Sequence, residues 1–76
     1  MKKDKLDIEF GKTLKSVRKA NGLSQEKLAI DCNLDRTYIS LLERGLRQPT
    51  LSTLFKIANR LKIKPSKLVD MVEKEV

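Results

Sequence analysis

The sequence predicts an all-α fold of five short helices, and three observations carry that expectation. Apolar residues recur at helical spacing through most of the chain. Residues that start helices (Ser24, Asp35, Thr50, Pro65) alternate with residues that stop them (Gly22, Gly45). No segment shows the apolar–polar alternation of a half-buried strand, and no internal repeat, low-complexity tract or flexible linker interrupts the pattern.

In the first helix Leu6, Phe10, Leu14 and Val17 share a face, with charges between them. Asn21-Gly22 ends it, because glycine takes a left-handed terminal conformation without a Cβ penalty. Residues 1–5 are expected to fray. Ser24 is a good N-cap for a second helix, which carries Leu28 and Ala29 inward and ends near Cys32. Asn33-Leu34-Asp35 is a tight connection, in which Asn tolerates positive φ and Asp35 caps the next helix. That third helix runs from about Arg36 to Arg44, with Ile39 and Leu42 inward, and stops at Gly45. Leu46-Arg47-Gln48-Pro49 is a loop, and Thr50 caps a fourth helix. There Leu51, Leu54, Phe55, Ala58 and Leu61 form a stripe. Ile63-Lys64-Pro65 breaks the helix and opens a fifth, whose apolar side is Leu68, Val69, Val72 and Val76.

Composition narrows the function. A chain of 76 residues is expected to be one domain. With 39% hydrophobic and 36% charged residues it is too apolar for a disordered chain and too polar for a membrane protein. No run approaches the roughly 18 apolar residues of a transmembrane helix. A net charge of +7 points to a polyanionic partner, nucleic acid first, although solubility alone also favours such an excess. The single cysteine, Cys32, and the absence of histidine leave no disulfide framework, no zinc ligand set and no histidine general base. Cys32 reads as a small buried apolar residue. Met1-Lys2-Lys3-Asp4-Lys5 leads into an amphipathic segment and not a secretory apolar core, so a reducing cytosol is expected.

The informative segment is Ser24 to Gly45, S-Q-E-K-L-A-I-D-C-N-L-D-R-T-Y-I-S-L-L-E-R-G. Two short helices joined by a three-residue turn must cross closely at Ala29, where a larger side chain would push them apart. With Ile39 and Leu42 inward, the second of them turns Arg36, Thr37, Ser40, Leu41 and Arg44 outward. This segment resembles the helix-turn-helix of the phage repressor and Cro family, the xenobiotic-response-element type of bacterial regulators. Gln25, Ala29, Ile39, Leu42 and Glu43-Arg44-Gly45 fit its pattern, as do Pro49-Thr50-Leu51, Ala58 and Pro65-Ser66-Lys67-Leu68, so the likeness runs from about Leu6 to Val69. Within the family, N-L-D-R-T-Y-I-S is similar to controller proteins of restriction–modification systems.

The resemblance implies a lambda-repressor-like domain in a bacterial or phage-encoded cytoplasmic regulator. It would bind a palindromic operator in double-stranded DNA as a homodimer, without catalysis, cofactor, metal, membrane or small-molecule ligand. The second helix of the motif would enter the major groove. Arg36, Thr37, Tyr38, Ser40 and Leu41 are the expected base readers. Arg36 can donate two hydrogen bonds to guanine, and Thr37 can meet thymine. The family usually has a polar residue at the position of Leu41, and an apolar one favours a thymine methyl. Expected phosphate contacts are Ser24, Gln25, Arg44, Arg47, Gln48, Thr50 and Ser52, of which Ser24 and Thr50 serve as caps in any case. Residues 33–50 carry only +1, from Arg36, Arg44 and Arg47 against Asp35 and Glu43, so affinity cannot rest on a dense basic tract. Lys56, Arg60, Lys62, Lys64 and Lys67 read instead as a solvated face.

Two further expectations concern structure. Arg18 and Glu43 stand where the family often has a buried ion pair. Phe55, Ile63, Leu68, Met71, Val72 and Val76 are the expected dimer interface, because the fifth helix is apolar beyond one narrow stripe. The competing reading is an antitoxin-like protein-binding module acting through that helix.

Overall fold

Side-chain caps set the helix boundaries in the computed structural model, which describes residues 4–76. Helix α1 spans Lys5–Ala20, and Asp4 accepts from the Leu6 N–H at 3.3 Å. Helix α2 is Gln25–Asp31, with the Ser24 hydroxyl accepting from the Lys27 N–H at 3.0 Å. Helix α3 is Arg36–Glu43, with Asp35 accepting from Thr37 at 3.1 Å. Helix α4 is Leu51–Arg60, with Thr50 accepting from Thr53 at 3.1 Å. Helix α5, Pro65–Glu73, has no side-chain cap and opens on proline, which removes one of the first-turn N–H groups that a cap would otherwise satisfy. Each side-chain cap contributes about 0.5–2 kcal/mol. The all-α, five-helix architecture is the one the sequence predicts. Because α1 takes in Lys5 and is capped by Asp4, the expected fraying does not reach those two positions. Residues 1–3 lie outside the described residues.

Leu14, Leu28, Ile39, Leu42, Ile57 and Leu68 are fully buried, one or more from each helix. The stripes drawn from spacing need correction at their edges. In α4 and its C-cap the inward set is Leu54, Ile57, Ala58 and Leu61, whereas Leu51 and Phe55 are exposed. In α1 Leu6 is half exposed, while Thr13 and Arg18 are buried. A helix of this width buries about one third of its surface, so the stripe edge depends on where the neighbouring helix lies.

Gly11 lies in the middle of α1, where glycine costs about 1 kcal/mol relative to alanine. Its neighbours explain it. A Cβ there would sit 2.5 Å from the carbonyl oxygens of both Leu42 and Glu43. α1 therefore packs backbone to backbone on the last turn of α3. Gly45, which ends α3, has φ +73, and its Cβ would meet Ile8 Cα at 3.0 Å. These two glycines let α1 hold the C-terminal end of α3 from below, and the N-terminal end is left to project.

Candidate nucleic-acid interface

The deepest polar feature lies under the helix-turn-helix. Arg18 and Glu43 side chains are 8% and 3% exposed, and Arg18 Nε donates to Glu43 Oε2 at 2.6 Å. Arg18 Nη2 donates to Glu43 Oε1 at 3.0 Å, and Nη1 to the Leu23 carbonyl at 2.7 Å. This is a two-bond fork, the strong geometry for a guanidinium and a carboxylate. Gln25 Nε2 adds a third donor to Glu43 Oε1 at 3.0 Å. One carboxylate thus ties α1, the start of α2 and the end of α3 together. The bridging role of Gln25 is absent from the sequence reading, which has it on phosphate. Its side-chain amide is engaged inside the protein, and its backbone N–H remains for an outside anion.

Above this network α3 presents its first turn to solvent. Arg36 and Thr37 are exposed, and neither side chain has a hydrogen-bond or ion-pair partner among the described residues. Ser40 and Leu41, one turn on, are half-buried. Tyr38 packs with Leu34 on the core, and its hydroxyl donates to the Gln48 carbonyl at 3.3 Å. That bond joins α3 to the loop carrying Arg47, and a phosphate taking the same proton would have to displace it. Arg44, Arg47 and Gln48 are exposed beside this loop. The Thr50 hydroxyl is spent within its own cap, donating to Thr53 Oγ1 at 2.9 Å and lying 3.3 Å from Ser52 Oγ. Arg36, Arg44 and Arg47 are thus solvent-facing cations around one projecting helix.

Outside this face, the basic run is not wholly solvated. Arg60 Nε donates to Asp31 Oδ2 at 2.6 Å, and Lys27 lies 3.1 Å from Asp31 Oδ1. The hydrogen bond from Arg60, then that from Lys27, holds the Asp31 carboxyl below its ordinary range. Nothing in the local sequence announces this pairing of α2 with α4. Cys32 is buried with Sγ 3.7 Å from the Lys56 carbonyl, and burial pushes its thiol pKa up. Such a thiol is a poor nucleophile. No group of three or more His, Cys, Asp or Glu among the described residues can hold a metal ion, and no described helix is long and apolar enough to cross a membrane.

The expected dimer residues divide. Leu68 and Val72 are inside the core, 0% and 4% exposed, and cannot meet a partner. Ile63 packs against that core, and Met71 lies half-buried beside α1 residues Glu9 and Lys12. α5 turns inward on the side where the α1 and α4 faces wait, which spacing alone does not reveal. Phe55 and Val76 remain exposed, joined by Leu51 and Val69.

The helix-turn-helix family profile matches residues 14–68. The chain is 45% identical over 71 residues to control protein C.MunI of a Mycoplasma species, covering 92% of this chain and 96% of the relative. It is 44% identical over 62 residues to control protein C.BamHI of Bacillus amyloliquefaciens, covering 80% and 76%. A solved structure, the restriction–modification controller protein C.Esp1396I as a tetramer with its natural 35 base-pair operator, superimposes with a TM-score of 0.81 at 37% identity, covering 92% of each chain. By the profile, the relatives and the shared fold, this chain belongs to the helix-turn-helix family and is similar throughout to the restriction–modification control proteins within it.

Proposed function

We propose that this protein is a sequence-specific transcriptional regulator of the restriction–modification controller type, acting in a bacterial cytoplasm as a homodimer on a palindromic operator. The observation that carries the reading is the first turn of α3. Arg36 and Thr37 are exposed there and unpartnered among the described residues, on a helix whose far end is locked by Arg18, Glu43 and Gln25. A rigid helix with free donors at its projecting end suits the major groove, where arginine bonds guanine O6 and N7 and threonine meets thymine. Ser40 and Leu41 read bases one turn further along. Arg44, Arg47, Gln48 and Ser52 hold the backbone at the rim, with the N-termini of α2 and α4 at Ser24 and Thr50 adding backbone N–H groups. Its work is binding, and no step of catalysis is assigned to it.

The antitoxin-like reading needs an apolar face on α5. Leu68 and Val72, the centre of that face, are inside the core. The test is selection of bound sequences from a random duplex library by the intact chain. A two-fold symmetric motif is expected, and recovery of no motif sinks the reading.

A further inference from the structure

Phe55 projects from α4 as an exposed aromatic, 53% accessible, with Leu51 at 72% one turn before it and Val69 of α5 at 49% nearby. It forms a ridge between two shallow grooves that share Leu51, Phe55 and Pro65. One groove continues past Lys56 and Asn59. The other continues past Val69, Asp70 and Glu73. The ridge therefore has a basic flank and an acidic flank. Asp70 is already engaged by Lys74 of its own helix at 3.2 Å. Lys56 and Glu73 are exposed, and neither is in an ion pair among the described residues.

Two copies of such a ridge can meet crest to crest, with Phe55 and Leu51 of each against those of the other. A two-fold axis running along the ridge brings each flank against the opposite flank of the other copy. The basic wall then faces the acidic one, twice. We propose that the homodimer is specified by two symmetry-related ion pairs, Lys56 of one protomer with Glu73 of the other, bracketing an apolar contact of Phe55, Leu51 and Val69. The inference rests on the homodimer reading above and adds the face and the device that selects a like partner. Charge complementarity of this kind sets register and rejects wrong partners more than it adds affinity. A related regulator without the same two flanks would meet like charges or none.

The experiment uses the intact chain in three variants, Lys56→Glu, Glu73→Lys and Phe55→Asp, all at exposed positions, with circular dichroism to show that each is folded. Sedimentation equilibrium measures the dimer dissociation constant. Each charge reversal alone sets like charges together twice and should raise that constant by roughly tenfold or more. An equimolar mixture of the two reversals places opposite charges together again, so it should recover the wild-type constant as a heterodimer. Phe55→Asp should not be rescued by either. If both reversals dimerise like wild type, or the mixture shows no recovery, the ion pairs are overturned. If that happens while Phe55→Asp is monomeric, the homodimer and its apolar face stand without them. If wild type stays monomeric both free and on its operator, the homodimer reading fails and the ion pairs with it.

Discussion

Arg36 and Arg47 are both exposed arginines, yet one opens α3 and the other lies in the loop after it. On the proposed reading Arg36 meets base edges, so Arg36→Ala should cost about 1–3 kcal/mol per half-site on the operator and relax preference at one base pair. Its effect on random duplex should be smaller. The same reading sets Arg47 on the backbone, so Arg47→Ala should weaken operator and random duplex alike and lower the salt slope by about one counterion per half-site. Titrations on both duplexes at several salt concentrations separate the two. Equal losses for Arg36→Ala on both would make it a phosphate contact. Glu43 acts differently, since it touches no outside partner. Glu43→Ala strands the Arg18 guanidinium and should cost about 3–5 kcal/mol. Replacing Arg18 and Glu43 together with apolar residues of similar volume should recover part of that loss. Urea denaturation of the single and double variants measures both, and an unchanged midpoint for Glu43→Ala contradicts the burial argument.

Between elements, the closest fit is α1 against the end of α3. Gly11→Ala should gain helix propensity of about 1 kcal/mol and still destabilise the protein, because its Cβ meets two carbonyl oxygens that cannot swing aside. A net loss of about 1–3 kcal/mol is expected, and a raised melting temperature would mean that α1 can shift without harm. The α2–α4 tie is electrostatic. Asp31 is held charged by Arg60 and Lys27, so its contribution is present above the ordinary aspartate value of about 3.9 and is lost as pH falls through the lower folded value. Asp31→Asn should therefore melt earlier than wild type at neutral pH, and the two should converge in acid. These element contacts mark the limit of what the chain discloses residue by residue. Ser24, Asp35 and Thr50 were legible as helix starts because a cap acts within its own turn, and Pro65 because its fixed φ suits a first helical position. Of the outward set, Arg36, Thr37 and Arg44 were legible because Ile39 and Leu42 fix the opposite face, whereas Ser40 and Leu41 at its edge are half-buried. Gly11 gave no local sign, since its reason lies on a helix about 30 residues away. The same holds for Gln25 on Glu43 and for Asp31 with Arg60, 18 and 29 residues apart. Leu68 and Val69 differ by one position, and only the place of α1 and α4 decides that one is core and the other surface.

For the whole molecule, the proposed assembly makes a geometric demand on DNA. The Cα trace of one protomer spans 29 × 26 × 22 Å and carries a single α3, so one chain cannot set that helix in two successive major grooves. Two copies joined through the Phe55 face offer two α3 helices, and a helix-turn-helix dimer sets these about 34–36 Å apart, one turn of DNA. Because the joining face is built from packed helices and not from a flexible linker, the spacing between half-sites should be rigid. Inserting about five base pairs at the operator centre turns the second half-site to the far side of the duplex. Affinity should then drop to that of a single half-site. Inserting about ten restores the facing but doubles the separation, so it should not recover binding. A protein that bound as two independent monomers would tolerate both insertions, and one joined by a mobile tether would tolerate the longer. Titration of the three operators at a fixed salt concentration distinguishes these cases. The Phe55→Asp variant supplies the reference, since a folded monomer should bind all three with the same single half-site affinity. If wild type and Phe55→Asp respond to the insertions alike, the two half-sites are not read by a dimer joined through this face.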